Sequence, residues 1–254
     1  MLGMDDEEDQ KGMNRREWVK IGLAIGGAAA ATAGGITLLS PLLRGSGSVP
    51  DRTEQIRYTR FPTPQWWNDR EGQPIRATDL QVWQGATGIW RPVLSSGKVV
   101  PGTGYPVLVI RIKRDDSVFK APTPDAVSLP AGYSLYYDDP SRDLRIVAFY
   151  DRCAHLCCYP GWQVVQNPPP ARDYVSDAPT YRVYGLDPIY CVCHGSQYDP
   201  MVLVTDVNPT NGIRYVGPSR VHGPSSRAIP IIPLRVADDV LLGGMPDPGW
   251  YQYC

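Results

Sequence analysis

Cys153-Ala-His155-Leu156-Cys157-Cys158 and Cys191-Val192-Cys193-His194-Gly195-Ser196-Gln197-Tyr198 hold five of the six cysteines and two of the three histidines in this 254-residue chain. Two short stretches that each combine thiolate and imidazole donors read as candidate metal-ligating loops. Such a set can build a zinc tetrahedron, or a [2Fe–2S] cluster with two thiolates on one iron and two imidazoles on the other. Zinc leaves unused the extra cysteine pair and the hydroxyls of Ser196 and Tyr198. The iron–sulfur reading is therefore preferred, and a zinc-stabilised surface binding module stands as an alternative.

Mixed ligation has a chemical consequence. A neutral imidazole in place of a thiolate removes negative charge from the cluster, which makes reduction easier. Its outer nitrogen can also carry a proton whose affinity rises when an electron reaches the iron. Such a centre exchanges an electron and a proton together.

The residues resemble the Rieske iron–sulfur family, in its quinol-oxidising, cytochrome bc-type branch. The family patterns C-x-H-x-x-C and C-x-C-H-G-S-x-Y map onto Cys153, His155 and Cys158, then onto Cys191, Cys193, His194, Gly195, Ser196 and Tyr198. The resemblance implies one [2Fe–2S] cluster with Cys153, His155, Cys191 and His194 as iron ligands. It implies a Cys158–Cys193 disulfide tying the loops together, a pair that oxygenase-type relatives usually lack. The Ser196 and Tyr198 hydroxyls would donate to cluster and cysteine sulfur, stabilising the more negative reduced state. Gly195 belongs to the same motif, and Leu156 would shield the cluster. Gly223-Pro224-Ser-Ser-Arg-Ala228 is similar to the family's proline loop, which covers the cluster's third side. His194, with His155 also exposed, would take the proton from quinol.

Two features depart from the family pattern. Position 157 is usually glycine, so Cys157 leaves two candidate partners for Cys193. With Cys158 paired to Cys193, Cys157 would be a free thiol or a partner for Cys254, and connectivity does not follow from sequence alone. The interval between His155 and Cys191 is also long, at 35 residues. Asn167-Pro-Pro-Pro170 and Asp177-Ala-Pro179 mark it as an irregular excursion, whose length adds little to loop-closure cost. His222, in a Gly/Pro-rich stretch, is expected in a solvated loop.

Residues 21–43 are 23 positions without a charge, about 35 Å as a helix and long enough to span a bilayer. Arg15, Arg16 and Lys20 precede this run and predict a cytoplasmic N-terminus with the rest of the chain on the periplasmic or extracellular side. Asn14-Arg-Arg-Glu-Trp-Val-Lys20 resembles a twin-arginine export signal, a route that carries folded proteins and suits a cofactor inserted before export. Ala31-Thr-Ala33 would pass as a cleavage site, but the apolar run continues past it to Leu43. A retained anchor in the cell membrane is expected. Residues 44–50, Arg44-Gly-Ser-Gly-Ser-Val-Pro50, have the composition of a flexible neck.

Residues 51–254 are expected to form one all-β head. The chain has 26 prolines and 25 glycines, too many for long soluble helices. Val107-Leu-Val-Ile-Arg-Ile112, Leu144-Arg-Ile-Val-Ala-Phe149, Tyr181-Arg-Val-Tyr184 and Ile231-Ile-Pro-Leu-Arg-Val236 read as strands. The last predicts a hairpin with Val240-Leu-Leu242 across Ala237-Asp-Asp239. The pattern is that of an antiparallel β-sandwich with a cluster-binding subdomain, plus one N-terminal transmembrane helix. Asp79-Leu80, Gly85, Trp90 and Pro106-Val-Leu-Val-Ile110 resemble the first strands of the family's base domain. Trp66-Trp67 suits either a lipid interface or the core of that domain.

A formal net charge of −1 gives no nucleic-acid footprint. The resemblance implies an oxidoreductase subunit of a dimeric membrane complex: a quinol:cytochrome c oxidoreductase. Its partners would be a cytochrome b-like subunit, quinol as substrate and a c-type cytochrome as electron acceptor. An alternative is the small Rieske subunit of a molybdenum oxidase such as arsenite oxidase, which needs neither a retained anchor nor a neck.

Overall fold

The structure, a computed structural model, describes residues 52–161 and 189–254. The export signal, anchor, neck, cleavage site and the Tyr181–Tyr184 strand expected from sequence lie outside those residues. Among the described residues no helix is long and apolar enough to cross a membrane.

The described residues are predominantly β, and every pairing between named strands is antiparallel. β1 (Arg57–Tyr58), β2 (Gln84–Trp90), β5 (Tyr105–Ile112), β6 (Tyr137–Asp139) and β7 (Leu144–Tyr150) form one sheet in the order β1-β2-β5-β7-β6. β8 (Ile189–Tyr190), β9 (Gln197–Val207) and β10 (Arg214–His222) form a second, in the order β10-β9-β8. β3 (Leu94–Ser95) with β4 (Lys98–Val99), and β11 (Leu234–Ala237) with β12 (Val240–Gly243), are two-stranded ladders. Among the described residues helical structure is limited to short 3₁₀ turns.

β5 and β7 form the core because they are rich in apolar residues, β-branched and aromatic ones among them, that suit a pleated, buried surface. All seven residues of β7 are buried. Its far edge is shared: Tyr137–Asp139 pairs with Leu144, Arg145 and Ile146, while Ile232 donates its N–H to Ala148 O at 2.8 Å and Tyr150 donates to Pro230 O at 2.8 Å. The segment expected as a strand from Ile231 is thus divided. Pro233 has no N–H for a ladder, and the β11–β12 hairpin begins only at Leu234. Its turn is Asp238-Asp239, at φ 49° and 68°, a left-handed pair that matches strand twist and that aspartate tolerates better than most residues.

Aromatic rings fill the sheet interior. The Trp90 indole N–H donates to Gly243 O at 2.9 Å, and its ring lies 5.3 Å from Tyr105 and 5.4 Å from Tyr251. Trp67 is 2% exposed and donates to Thr59 O at 3.1 Å, while Trp66 packs edge-on against it at 5.6 Å. The tryptophan pair belongs to the core.

Candidate metal centre

Both candidate loops leave the ends of strands. The first follows β7, and the second connects β8 to β9, so Cys191 comes directly after Tyr190 and Ser196 directly before Gln197. Each is closed by the same two hydrogen bonds. In the first, Cys153 N–H donates to Cys158 O at 2.7 Å and Cys157 N–H donates to Cys153 O at 2.9 Å. In the second, Cys191 N–H donates to Ser196 O and Gly195 N–H donates to Cys191 O, both at 2.8 Å. This geometry requires a left-handed residue at the fifth position, met by Gly195 at φ 77° and by Cys157 at φ 60°. Cys157 thus occupies a backbone conformation that glycine adopts without strain.

The loops are joined covalently. Cys158 is bonded to Cys193, and Cys157 to Cys254. Of the two fates left open for Cys157, the structure has the disulfide. Cys153 and Cys191 remain free thiols and are buried, each 1% exposed.

The four expected ligands fall into two pairs. The Cys153 and Cys191 thiols interact with one another: the hydrogen bond from Cys191, then those from Tyr198, His155 N–H and Ser196, hold Cys153 below the usual thiol range against the opposing effect of burial. Cys191 is correspondingly raised, first by Cys153 and then by burial. The pair gives up its first proton easily and its second with difficulty. The imidazoles of His155 and His194 meet edge to face, with ring centroids 4.8 Å apart. His194 is exposed and His155 half-buried.

Among the described residues, the close trio of potential ligand atoms is Cys158, Cys191 and Cys193, within 4.8 Å of one another. Two of those sulfurs are consumed in a disulfide and cannot act as thiolates. The remaining donor set, a buried thiol pair and an imidazole pair, fits a two-iron cluster. His155 Nδ1 is buried and has no hydrogen-bond partner, an arrangement rare in folded proteins and one that metal ligation would relieve.

Tyr198 and Ser196 lie against the thiol pair. The Tyr198 hydroxyl is 3.4 Å from Cys153 Sγ, and burial first, then the Cys153 charge, hold its own pKa far above the usual phenol range. The phenol therefore stays protonated and able to donate at physiological pH. Ser196 Oγ accepts from Ser225 N–H at 3.1 Å, so its hydroxyl hydrogen is directed elsewhere. Ser225 sits in the 223–228 segment beside Pro224, which is exposed. Gly223 presses that segment onto the second loop: a Cβ there would meet Ser196 Cα at 2.5 Å and Gly195 O at 2.7 Å. Leu156 and Val192, one in each loop, are 61% and 57% exposed.

His222 differs from expectation. It is the last residue of β10, pairs in register with Gln197 and is half-buried. Antiparallel pairing with β9, continued across a register shift between Arg220 and His222, carries the ladder to the edge of the site despite the following Gly-Pro. Sequence reasoning also missed Arg152 and Tyr253. Arg152 donates to Cys157 O at 3.0 Å and stacks 4.0 Å over Tyr159. The Tyr253 hydroxyl donates to Arg152 O at 2.7 Å. The one available signal was Cys254, which placed its neighbours within reach of Cys157.

No protein-family model matches this chain, and no curated protein matches it either.

Proposed function

We propose that this chain is the Rieske-type iron–sulfur subunit of a membrane quinol:cytochrome c oxidoreductase, taking one electron and one proton from quinol and passing the electron to a c-type cytochrome. The observation that carries the reading is the division of the expected ligands into a buried thiol pair and an imidazole pair reaching solvent, in loops joined by Cys158–Cys193. A [2Fe–2S] cluster held by Cys153 and Cys191 on one side and His155 and His194 on the other would supply a one-electron acceptor with protonatable ligands. The antiparallel β head and its proline loop belong to the same reading.

The chain's own residues account for the rest. Tyr198 and Ser196 supply hydroxyl donors toward sulfur, which favour the more negative state. Burial of Cys153 and Cys191 keeps water from the thiolates. His194, exposed, can accept a hydrogen bond from a quinol hydroxyl at its outer ring nitrogen and then hold the proton there. Leu156 and Val192 surround that edge with apolar surface, suited to a crater on a cytochrome b-like subunit that excludes water. The expected anchor at 21–43 and neck at 44–50 would tether the head to the membrane and give it reach.

Purification from membranes in mild detergent tests the reading, with iron, acid-labile sulfide and partner subunits measured beside the electron paramagnetic resonance spectrum. A Rieske-type signal with b-type and c-type haem partners is expected. Zinc without iron, or a molybdenum subunit without haem b, overturns it.

A further inference from the structure

The function proposed above makes no use of residues 247–254, although that segment is firmly built in. Pro248–Tyr251 forms a 3₁₀ turn whose Trp250 and Tyr251 are 2% and 4% exposed. Asn208 and Asn211, after β9, donate their side-chain amides to Gly249 O at 2.7 and 2.9 Å. The Tyr251 hydroxyl donates to Ile231 O at 3.1 Å. From this base the chain reaches the first loop twice. Tyr253 donates to Arg152 O at 2.7 Å, and Cys254 is bonded to Cys157. The Tyr253 ring also packs edge-on against Tyr150, at the end of β7, at 5.8 Å.

The two attachment points bracket the ligands. Arg152 immediately precedes Cys153, and Cys157 follows His155 by two positions. The support of the two loops is unequal: the second is held by strands on both sides, β8 and β9, whereas among the described residues the first joins a strand only at β7. A loop anchored at one end keeps conformational freedom that must be removed to hold two ligands in place.

We propose that residues 247–254 are a positioning strap for the first loop, fixing Cys153 and His155 against Cys191 and Tyr198 by holding Arg152 and Cys157. The inference rests on the functional reading above and adds a structural element to it. Tyr253 and Cys254 are then positioning residues that touch no reacting atom.

The test compares the full chain, purified in detergent, with Cys157→Gly/Cys254→Ser and with Tyr253→Phe. Glycine at 157 keeps the left-handed backbone favourable, so the double variant isolates the covalent tie. After metal removal by a chelator, iodoacetamide labelling of Cys153 and Cys191 should be at least tenfold faster in the double variant than in the parent. Tyr253→Phe should show a smaller change in the same direction. In metal-loaded protein, the midpoint potential and resonance g-values should shift in both variants, which general loss of stability would not cause. Labelling rates equal to the parent in both variants overturn the strap. A parent chain without iron removes the functional reading alone, because labelling of the thiols still decides the strap; should the double variant not fold, Tyr253→Phe decides it.

Discussion

Gly223 and Ser196 meet through backbone alone. A Cβ on Gly223 would stand 2.5 Å from Ser196 Cα and 2.6 Å from Ser196 N, distances that side-chain adjustment cannot relieve. Gly223 also lies at φ 85°. Gly223→Ala therefore combines a steric clash with a left-handed strain of about 1 kcal/mol or more, and the 223–228 segment must move away from the second loop. The Ser225–Ser196 hydrogen bond should break, with a destabilisation of about 2–4 kcal/mol, measured by denaturant unfolding. Unchanged stability would show that the close approach is absent in solution.

Tyr198→Phe removes the hydroxyl beside Cys153 and leaves the ring in place. Loss of one hydrogen bond to a charged sulfur is expected to cost the charged form about 1–2 kcal/mol. In metal-free protein the Cys153 thiol should titrate higher than in the parent, followed by thiolate absorbance. If the centre carries the proposed cluster, its one-electron potential should fall by roughly 40–80 mV, at about 59 mV per 1.4 kcal/mol.

Replacing Cys158 and Cys193 together by alanine opens a ring spanning 35 positions. The chain-entropy argument gives a loss of about 3–4 kcal/mol, visible as a lower midpoint in thermal unfolding. Cys157–Cys254 still holds the first loop in that variant, so the second loop and His194 should show the larger rise in hydrogen exchange. A larger rise in the first loop would contradict this order.

Glu54 provides a pH test away from the centre. The Tyr133 hydroxyl, donating at 2.7 Å, is the main cause of its lowered pKa, with Arg235 adding to it. The folded pKa lies below the unfolded value of 4.5, so the stabilisation is present above pH 4.5 and is lost as pH falls through the folded value. Glu54 and Arg235 are both substantially exposed, so solvent screening keeps the effect small. Glu54→Gln should leave stability near pH 7 slightly reduced and flatten its decline below pH 4.5, as read by urea unfolding at several pH values.

The candidate centre was legible as a candidate because metal ligation would constrain residue type and spacing over a few positions. Cys153, His155, Cys191 and His194 stand out without any knowledge of the strands around them. β5 and β7 were legible for a different reason, since their short, largely apolar runs rich in Val, Ile and aromatic residues leave few alternatives. The β11 boundary was misplaced because Ile231 and Ile232 are as apolar as strand residues, and only the missing N–H of Pro233 separates them. His222 was misplaced because glycine and proline after it suggested a loop, while its side of the β10 ladder is set by pairing with Gln197. The roles of Arg152 and Tyr253 depend on contacts between residues about a hundred positions apart, which no local pattern reveals.

The adjacency of Cys157 and Cys158 has a consequence for biogenesis. Four cysteines, Cys157, Cys158, Cys193 and Cys254, can pair in three ways, and two of them differ only by exchanging neighbours on the chain. The swapped isomer, Cys157 with Cys193 and Cys158 with Cys254, closes rings of nearly the same size, so chain entropy scarcely distinguishes it from the native one. Selection must come from the folded loop, whose left-handed turn at Cys157 directs the two sulfurs to different partners. Oxidation before the loop has closed would trap a scrambled species, and correct assembly therefore depends on folding running ahead of thiol oxidation.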